Sequence, residues 1–345
     1  MIKEFLRPEE LETLEKEVSL AEQQGRLTDA QLEILFRRGL FHLFVPKQYG
    51  GLELDLLAGK KLQEQLAYLD GSLAWTVTLC SGASWFVGFM DPSVLPGIFS
   101  APRACFGGSG MVSGKAEMKD GGFWINGHWK YATGAQHNTI FTANCIVTKG
   151  GEDVLDVDGK PKLLSFYFQR EEVEIIEDWQ TMGLIATGSH SFTVQDLWVD
   201  ESRSFEIVPE RTLMDQPIYS YPFHAFAEVT LAANYLGMFR RFIDEADVLG
   251  VSLVEVERLK LDDLAGQFHQ ATERSWELFQ SASSEKQADE CFSRVGEHAR
   301  KLVQEGLQSM TKIYVQLGMR VADPSQPLNR LWRDIFTASQ HMMFR

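Results

Sequence analysis

The stretch "NGHWKYATG", residues 126–134, carries two large aromatics and a hydroxyl at every second position: Trp129, Tyr131 and Thr133. Residues two apart share a face in an extended strand, so these three point one way and His128, Lys130 and Ala132 the other. From residue types alone, such a face is that of a sheet packing on its own core, because aromatics are common in strands. Three further groups have chemical capacity. Ser189 in "ATGSH" is a turn or capping serine by its neighbours, and Glu228 in "FAEVTLAANYLG" reads as a solvated helix glutamate. His341 in "LWRDIFTASQH" offers an imidazole, the side chain type ordinarily suited to proton handling at neutral pH.

Other motifs fall away. "VLDVDGKPKLLS" resembles a calcium loop only around its glycine. With Gly159 in sixth place, the first and twelfth positions are Val154 and Ser165, neither a carboxylate, and a hairpin turn explains the stretch. "GGSGMVSG" is glycine-rich without lysine or dinucleotide spacing, and reads as a loop at a domain entry. There is no Gly-x-Ser-x-Gly elbow and no HExxH.

The elements that must position these groups follow from periodicity. "LRPEELETLEKEVSLAEQQ" and "TDAQLEILFRRGL" repeat at helical spacing, with Thr28-Asp29 as a cap. "VPKQYGGLELD" is a Pro/Gly break, after which "LLAGKKLQEQLAYLD" and "SLAWTVTLCSGASWFVGFM" predict two helices, the second apolar all round and therefore buried. From about Ala104 to Ile207 the runs are short and β-rich, separated by Asp120-Gly121, Asn126-Gly127 and Asp158-Gly159 turns. From about Pro217 onward the pattern is helical again. We expect an α+β chain: a helical N-terminal domain (1–103), a middle antiparallel β-barrel (104–208) and a C-terminal helical bundle (209–345).

The 345 residues are 44% hydrophobic and 23% charged, ordinary for a soluble globular chain. A net charge of -15 argues against nucleic acid or an anionic membrane as partner. Cys80, Cys105, Cys145 and Cys291 are scattered without a CxxC, so we expect reduced thiols, no disulfide framework and no metal. The acidic N-terminus lacks an apolar signal core, and no apolar run approaches roughly 18 residues, so a cytoplasmic protein is expected.

Five stretches in order resemble the acyl-CoA dehydrogenase superfamily of flavoproteins: "GLFHLFVPKQYGG", "LAYLDGSLAW", "DGGFWINGHWKYATG", "MGLIATGSHSFTVQDLWVDE" and "PLNRLWRDIFTASQH". The resemblance implies that the strand at 129–133 faces a flavin. Tyr131, with Trp129 beside it, would then be the ring-facing aromatic, and Thr133 the hydroxyl near N5. Ser189 would be a flavin-loop contact and Arg333 the arginine of the family's Arg-Asp pair at the cofactor. FAD is the implied cofactor, with FMN the alternative.

The departures shape the chemistry. The family's glutamate base stands nine residues after that arginine, where this chain has Met342, and a thioether is no base. A subset of the family places its base near the start of the first C-terminal helix, where Glu228 lies about one residue out of register, or about 100° on a helix. "LWRDIFTASQH" is more similar to dehydrogenase-fold flavin monooxygenases, which end in Trp-Arg-Asp and then a histidine that handles a proton at the oxygenated flavin; His341 takes that place. The family's Arg-x-x-Phe-Gly has no counterpart, and its Gln-x-x-Gly-Gly-x-Gly turn is reduced to "VQLGM". The resemblance thus implies a flavin-dependent oxidoreductase acting on a small organic or acyl substrate, with monooxygenation favoured. Acyl-CoA dehydrogenation with a displaced base and a non-catalytic scaffold are the alternatives. Implied partners are a flavin reductase or electron-transfer protein and copies of the chain itself, as a homodimer or homotetramer.

Overall fold

Helix starts are set by caps. The Gln31 amide donates to Thr28 Oγ1 at 3.2 Å and the Thr28 amide donates to Gln31 Oε1 at 3.1 Å, the reciprocal pair expected at Thr28. Asp55 and Asp70 accept from the amides of Ala58 and Leu73, each at 2.8 Å. In the computed structural model, which describes residues 1–281 and 285–344, the order is helices, strands, helices. The first part holds α1 (Ile2–Phe5), α2 (Pro8–Lys16), α3 (Val18–Gln24), α4 (Asp29–Arg37), α5 (Leu56–Leu69), α6 (Gly71–Ser84) and α7 (Leu95–Phe99). As its composition requires, α6 is buried along nearly its whole length.

The strands are β1 (Phe106–Lys119), β2 (Gly122–Ala132), β3 (Ile140–Lys149), β4 (Glu152–Asp153), β5 (Leu163–Gln169), β6 (Glu174–Ile176), β7 (His190–Asp200) and β8 (Ser204–Phe205). They form one sheet in the order β6-β7-β2-β1-β3-β5-β8, with β4 on β3. The expected antiparallel barrel is corrected on two counts. The path is open, its ends β6 and β8 being unpaired with each other among the described residues, and β1 and β3 are parallel. The topology explains the second point. β2 hairpins back along one edge of β1 and is itself covered by β7, so β3 returns on the other edge of β1, running in the direction of β1.

The Asp120-Gly121 hairpin turn is as expected, both residues being left-handed at φ 53° and 75°. Asn126-Gly127 is not a turn but lies inside β2. A Cβ on Gly127 would come within 2.3 Å of the Trp129 indole, and one on Gly114, its cross-strand partner, within 2.1 Å. These glycines make room for a ring. Trp129 is fully buried there, stacked on Phe192 at 5.2 Å, with its indole N–H donating to the Asn144 carbonyl at 3.1 Å. It is core to the curled sheet, which corrects its expected role as a cofactor-facing aromatic.

The C-terminal helices are α8 (Phe223–Val248), α9 (Val254–Gln280), α10 (Glu285–Leu317) and α11 (Pro327–Ala338). The long α8 packs against α5, α6, α9, α10 and α11, so the first and last parts share one core. Among the described residues no helix is long and apolar enough to cross a membrane. Removing the Trp129 ring leaves a void between two glycines that cannot collapse into it. Trp129→Ala is therefore expected to lose about 3–5 kcal/mol in urea unfolding, and a loss under 1 kcal/mol would contradict its place in the core.

Candidate functional site

The end of β2 does not keep the alternation that the sequence suggests. The β2–β7 register slips between Trp129 and Ala132, and Tyr131 takes the left-handed φ of 69°. One extra residue in the strand turns the next side chain over. Trp129 faces the core, while Tyr131 is 60% exposed, its ring edge-on to Trp179 at 6.2 Å. Trp129, Tyr131 and Thr133 therefore do not share a face.

Thr133 and Ser189, 56 positions apart, are brought together. Their hydroxyl oxygens are 2.9 Å apart and both residues are buried. Ser189 Oγ is also 2.7 Å from Thr187 Oγ1, whose hydroxyl donates to the Leu184 carbonyl at 2.8 Å. With the Thr187 proton committed to that carbonyl, the chain has one direction: Thr133 donates to Ser189 and Ser189 to Thr187. Thr133 Oγ1 is then left with lone pairs and no free proton. The Thr133 carbonyl is held from behind by the Asn138 side-chain amide, which donates to it at 2.8 Å. Thr187 lies inside the quoted "ATGSH" stretch but was not singled out there, and Asn138 had no signal in the sequence, because it belongs to no motif that spacing picks out.

The loop carrying these hydroxyls is braced from the far end of the chain. The buried Asp334 of α11 accepts the Leu184 amide at 2.5 Å. Gly183 lies so close to α11 that a Cβ there would stand 2.1 Å from the Arg333 carbonyl. The Arg333 guanidinium pairs with Glu22 at 2.6 Å and donates to the Met182 carbonyl at 2.6 Å and to Asn329 at 2.8 Å. Its donors are spent on protein partners, which corrects its expected role as a cofactor ligand: it clamps α11 to α3 and to the loop. A Cβ on Gly71 would meet Asp334 Oδ2 at 3.2 Å, so the Asp334 carboxyl sits at the start of α6 beside its cap, Asp70. Burial and the neighbouring Asp70 raise the Asp334 carboxyl to about 8, against the lowering effect of the Leu184 amide. Burial raises Asp70 as well. Three stretches picked out by the sequence, "LDGS", "MGL" and "WRD", meet at this point.

The remaining candidates lie elsewhere. The His341 ring is half-buried, edge-on to Trp75 of α6 at 5.8 Å, and its Nδ1 accepts from the Met343 amide at 3.4 Å. Glu228 is not the solvated glutamate the sequence suggested. It is 2% exposed on α8, ion-paired to Arg300 of α10 and 3.4 Å from His224. Burial raises its carboxyl, and His224 and Arg300 act the other way. Gly296 of α10 leaves the space for it, since a Cβ there would lie 2.5 Å from Glu228 Oε2. These partners are all on helices, and none belongs to β2 or to the loop at 182–189. A surface cavity of about 550 Å³ between α9 and α10, lined by Arg274, Arg294 and His298 among others, contains none of the candidate residues.

Residues 1–87 match the family model for the acyl-CoA dehydrogenase N-terminal domain. The HsaA monooxygenase structure from M. tuberculosis superposes with a TM-score of 0.86 at 21% identity, covering 97% of this chain and 92% of that one. The chain has the acyl-CoA dehydrogenase fold. XiaF from Streptomyces sp., in complex with FADH2 and glycerol, also gives 0.86, at 22% identity over 97% of this chain and 89% of its own. TdsC from Paenibacillus, with FMN and indole, gives 0.78 at 18% identity over 96% and 91%. Among curated proteins, indole-3-acetate monooxygenase of Pseudomonas putida is 28% identical over 68% of this chain and 58% of its own length. The oxygenase subunit HsaA of Mycobacterium tuberculosis is 27% identical over 62% and 54%. The acyl-CoA dehydrogenase-fold chain thus spans a little over half the length of these curated relatives.

A carboxyl held at about 8 in the fold, against 3.8 when free, binds its proton more tightly folded than unfolded. Its stabilising contribution is complete below 3.8 and is lost as pH rises toward 8. Asp334→Asn keeps an oxygen for the Leu184 amide and cannot ionise. We expect it to melt several degrees above the wild type near pH 8, the gap closing as pH falls toward 3.8. A variant whose melting temperature falls more steeply with rising pH than the wild type's would contradict this.

Proposed function

We propose that this chain is the oxygenase of a flavin-dependent monooxygenase system, which receives reduced flavin from a separate reductase and acts on a small aromatic substrate. The observations that carry the proposal are the exposed Tyr131 ring and, two residues on, the buried Thr133 hydroxyl, whose own proton is already committed. Support for the chemistry comes from the similar curated proteins, among them indole-3-acetate monooxygenase and p-hydroxyphenylacetate 3-hydroxylase oxygenase component. FAD is the proposed cofactor and FMN the alternative, since XiaF is described with FADH2 and TdsC with FMN.

The residues fit one end of such a cofactor. Tyr131 offers a stacking face, and Tyr131 at φ 69° and Leu184 at φ 50° both carry backbone strain beside it, as functional sites often do. Thr133 Oγ1, left as an acceptor, suits a ring edge that donates an N–H, and Ser189 and Thr187 hold it in that state. The phosphate end is not served by Arg333, whose guanidinium is engaged by Glu22, Met182 and Asn329. A bound reduced flavin would supply the electrons that activate dioxygen. His341, seated against Trp75, is the proposed proton holder, histidine being the side chain type ordinarily used for that task.

Acyl-CoA dehydrogenation is disfavoured by two observations. The position nine residues after Arg333 is Met342, and the alternative base Glu228 is locked into an ion pair with Arg300. The scaffold alternative is opposed by the directed hydroxyl chain that ends at Thr133. Self-association as a homodimer or homotetramer belongs to the proposal and is supported by Val256 and Leu259, exposed and three apart on α9.

Purified protein is expected to bind reduced FAD and, with a reductase and dioxygen, to hydroxylate an aromatic substrate. Bleaching of bound oxidised flavin by any member of an acyl-CoA panel under argon would overturn the monooxygenase assignment. His341→Ala is expected to keep flavin binding and lose about 10²-fold in substrate hydroxylation; unchanged turnover would remove His341 from the mechanism. Ser189→Ala frees the Thr133 proton and is expected to weaken reduced-flavin binding more than oxidised-flavin binding, read by equilibrium titration.

A further inference from the structure

The cysteines that the sequence scatters are not all apart in the fold. Cys80 on α6, Cys105 at the entry to β1 and His137 in the turn after β2 place two sulfurs and an imidazole nitrogen within 4.8 Å of one another. Both thiols are fully buried, and His137 is half-buried. His137 Nε2 is shielded from solvent and has no hydrogen-bond partner. A fourth atom completes the set. Asn138 Oδ1 lies 3.4 Å from Cys105 Sγ and 3.6 Å from Cys80 Sγ, accepting from thiols on both sides. The Asn138 side chain is fixed in this position by its bond to the Thr133 carbonyl and by Gly107, where a Cβ would stand 1.8 Å from its amide nitrogen.

We propose that Cys80, Cys105 and His137, with Asn138 Oδ1 as fourth donor, form a binding site for a single zinc-class divalent cation. A tetrahedral zinc ion with Zn–S near 2.3 Å and Zn–N or Zn–O near 2.1 Å requires donor-to-donor edges of about 3.4 Å between nitrogen and oxygen and about 3.6–3.8 Å where sulfur is a donor. The Asn138–Cys80 separation of 3.6 Å already has that length and the Asn138–Cys105 separation of 3.4 Å is about 0.2 Å short of it, while the two sulfurs and the imidazole nitrogen lie within 4.8 Å of one another. Binding is a proton-for-metal exchange: two S–H bonds break, two S–Zn bonds form and two protons leave to solvent, with no change of oxidation state. Two thiolates cancel the charge of a divalent ion, so the filled site is neutral, as a buried site must be. Thiolate and imidazole donors select zinc over magnesium or calcium. The cation would pin α6, the start of β1 and the turn at 134–138 together directly behind Thr133. This site stands independently of the flavin reading.

Cobalt(II) titration of the reduced full-length protein tests it. One equivalent is expected to produce a thiolate-to-cobalt charge-transfer band and the strong visible bands of a tetrahedral centre, both erased by zinc. Cys105→Ser, which leaves one thiolate, is expected to lower the charge-transfer intensity to about half or less, and His137→Gln to weaken cobalt binding at least tenfold, with circular dichroism showing both variants folded. Cys291→Ser, outside the cluster, is expected to titrate as the wild type. Absence of the bands in folded reduced protein, or bands of undiminished intensity in Cys105→Ser, would overturn the proposal.

Discussion

One buried hydrogen bond, from the Leu184 amide to the Asp334 carboxyl, ties the last helix to the loop that carries the site. Leu184 sits in the left-handed region at φ 50°, a conformation a leucine holds only when its surroundings impose it. Asp334 imposes it on one side, and the Trp179 indole, donating to the Leu184 carbonyl at 3.0 Å, on the other. The same carbonyl receives the Thr187 hydroxyl, and that commitment gives the hydroxyl chain its direction. A contact between residues 150 positions apart therefore decides which lone pairs Thr133 presents.

The brace is made from groups that are costly to bury. Asp70 and Asp334 share the start of α6, and burial raises both carboxyls, so they are most at ease with a proton between them. Arg333 and Glu22 close the outer side of the same junction. Replacing such a cluster by apolar residues is often tolerated for stability alone. Its worth here is positional: it sets the height of the loop at 182–189 over the end of β2.

Much of the fold was legible in the sequence because it depends on near neighbours. The cap at Thr28, the buried α6 and the hairpin at Asp120-Gly121 all follow from side chains or backbone preferences within four positions. The fold implied by the superfamily resemblance, carried by five ordered stretches, was borne out by the N-terminal family match and by the superposed structures. Thr133 and Ser189 were also picked out, and their hydroxyls are in contact. Misreadings came where a local rule met a distant constraint. Asn126-Gly127 has the composition of a turn, yet the glycine is there to make space for Trp129. Arg333 stands in a motif associated with a cofactor, yet its donors are used within the protein.

By itself the sequence determined the periodicity of each element, the order helix, sheet, helix, and the residue types available at each position. Only the tertiary structure decided which way those residues face and whom they meet. A single bulge against β7 inverted Tyr131 relative to Trp129, and a return on the far edge of β1 made the sheet mixed and left it open. Cys80, Cys105 and His137, which no spacing rule connects, became neighbours because α6 packs under the first strand. The reason is physical. Local structure is governed by torsions and hydrogen bonds over a few residues, whereas register and side-chain proximity are settled by how whole surfaces exclude water against each other.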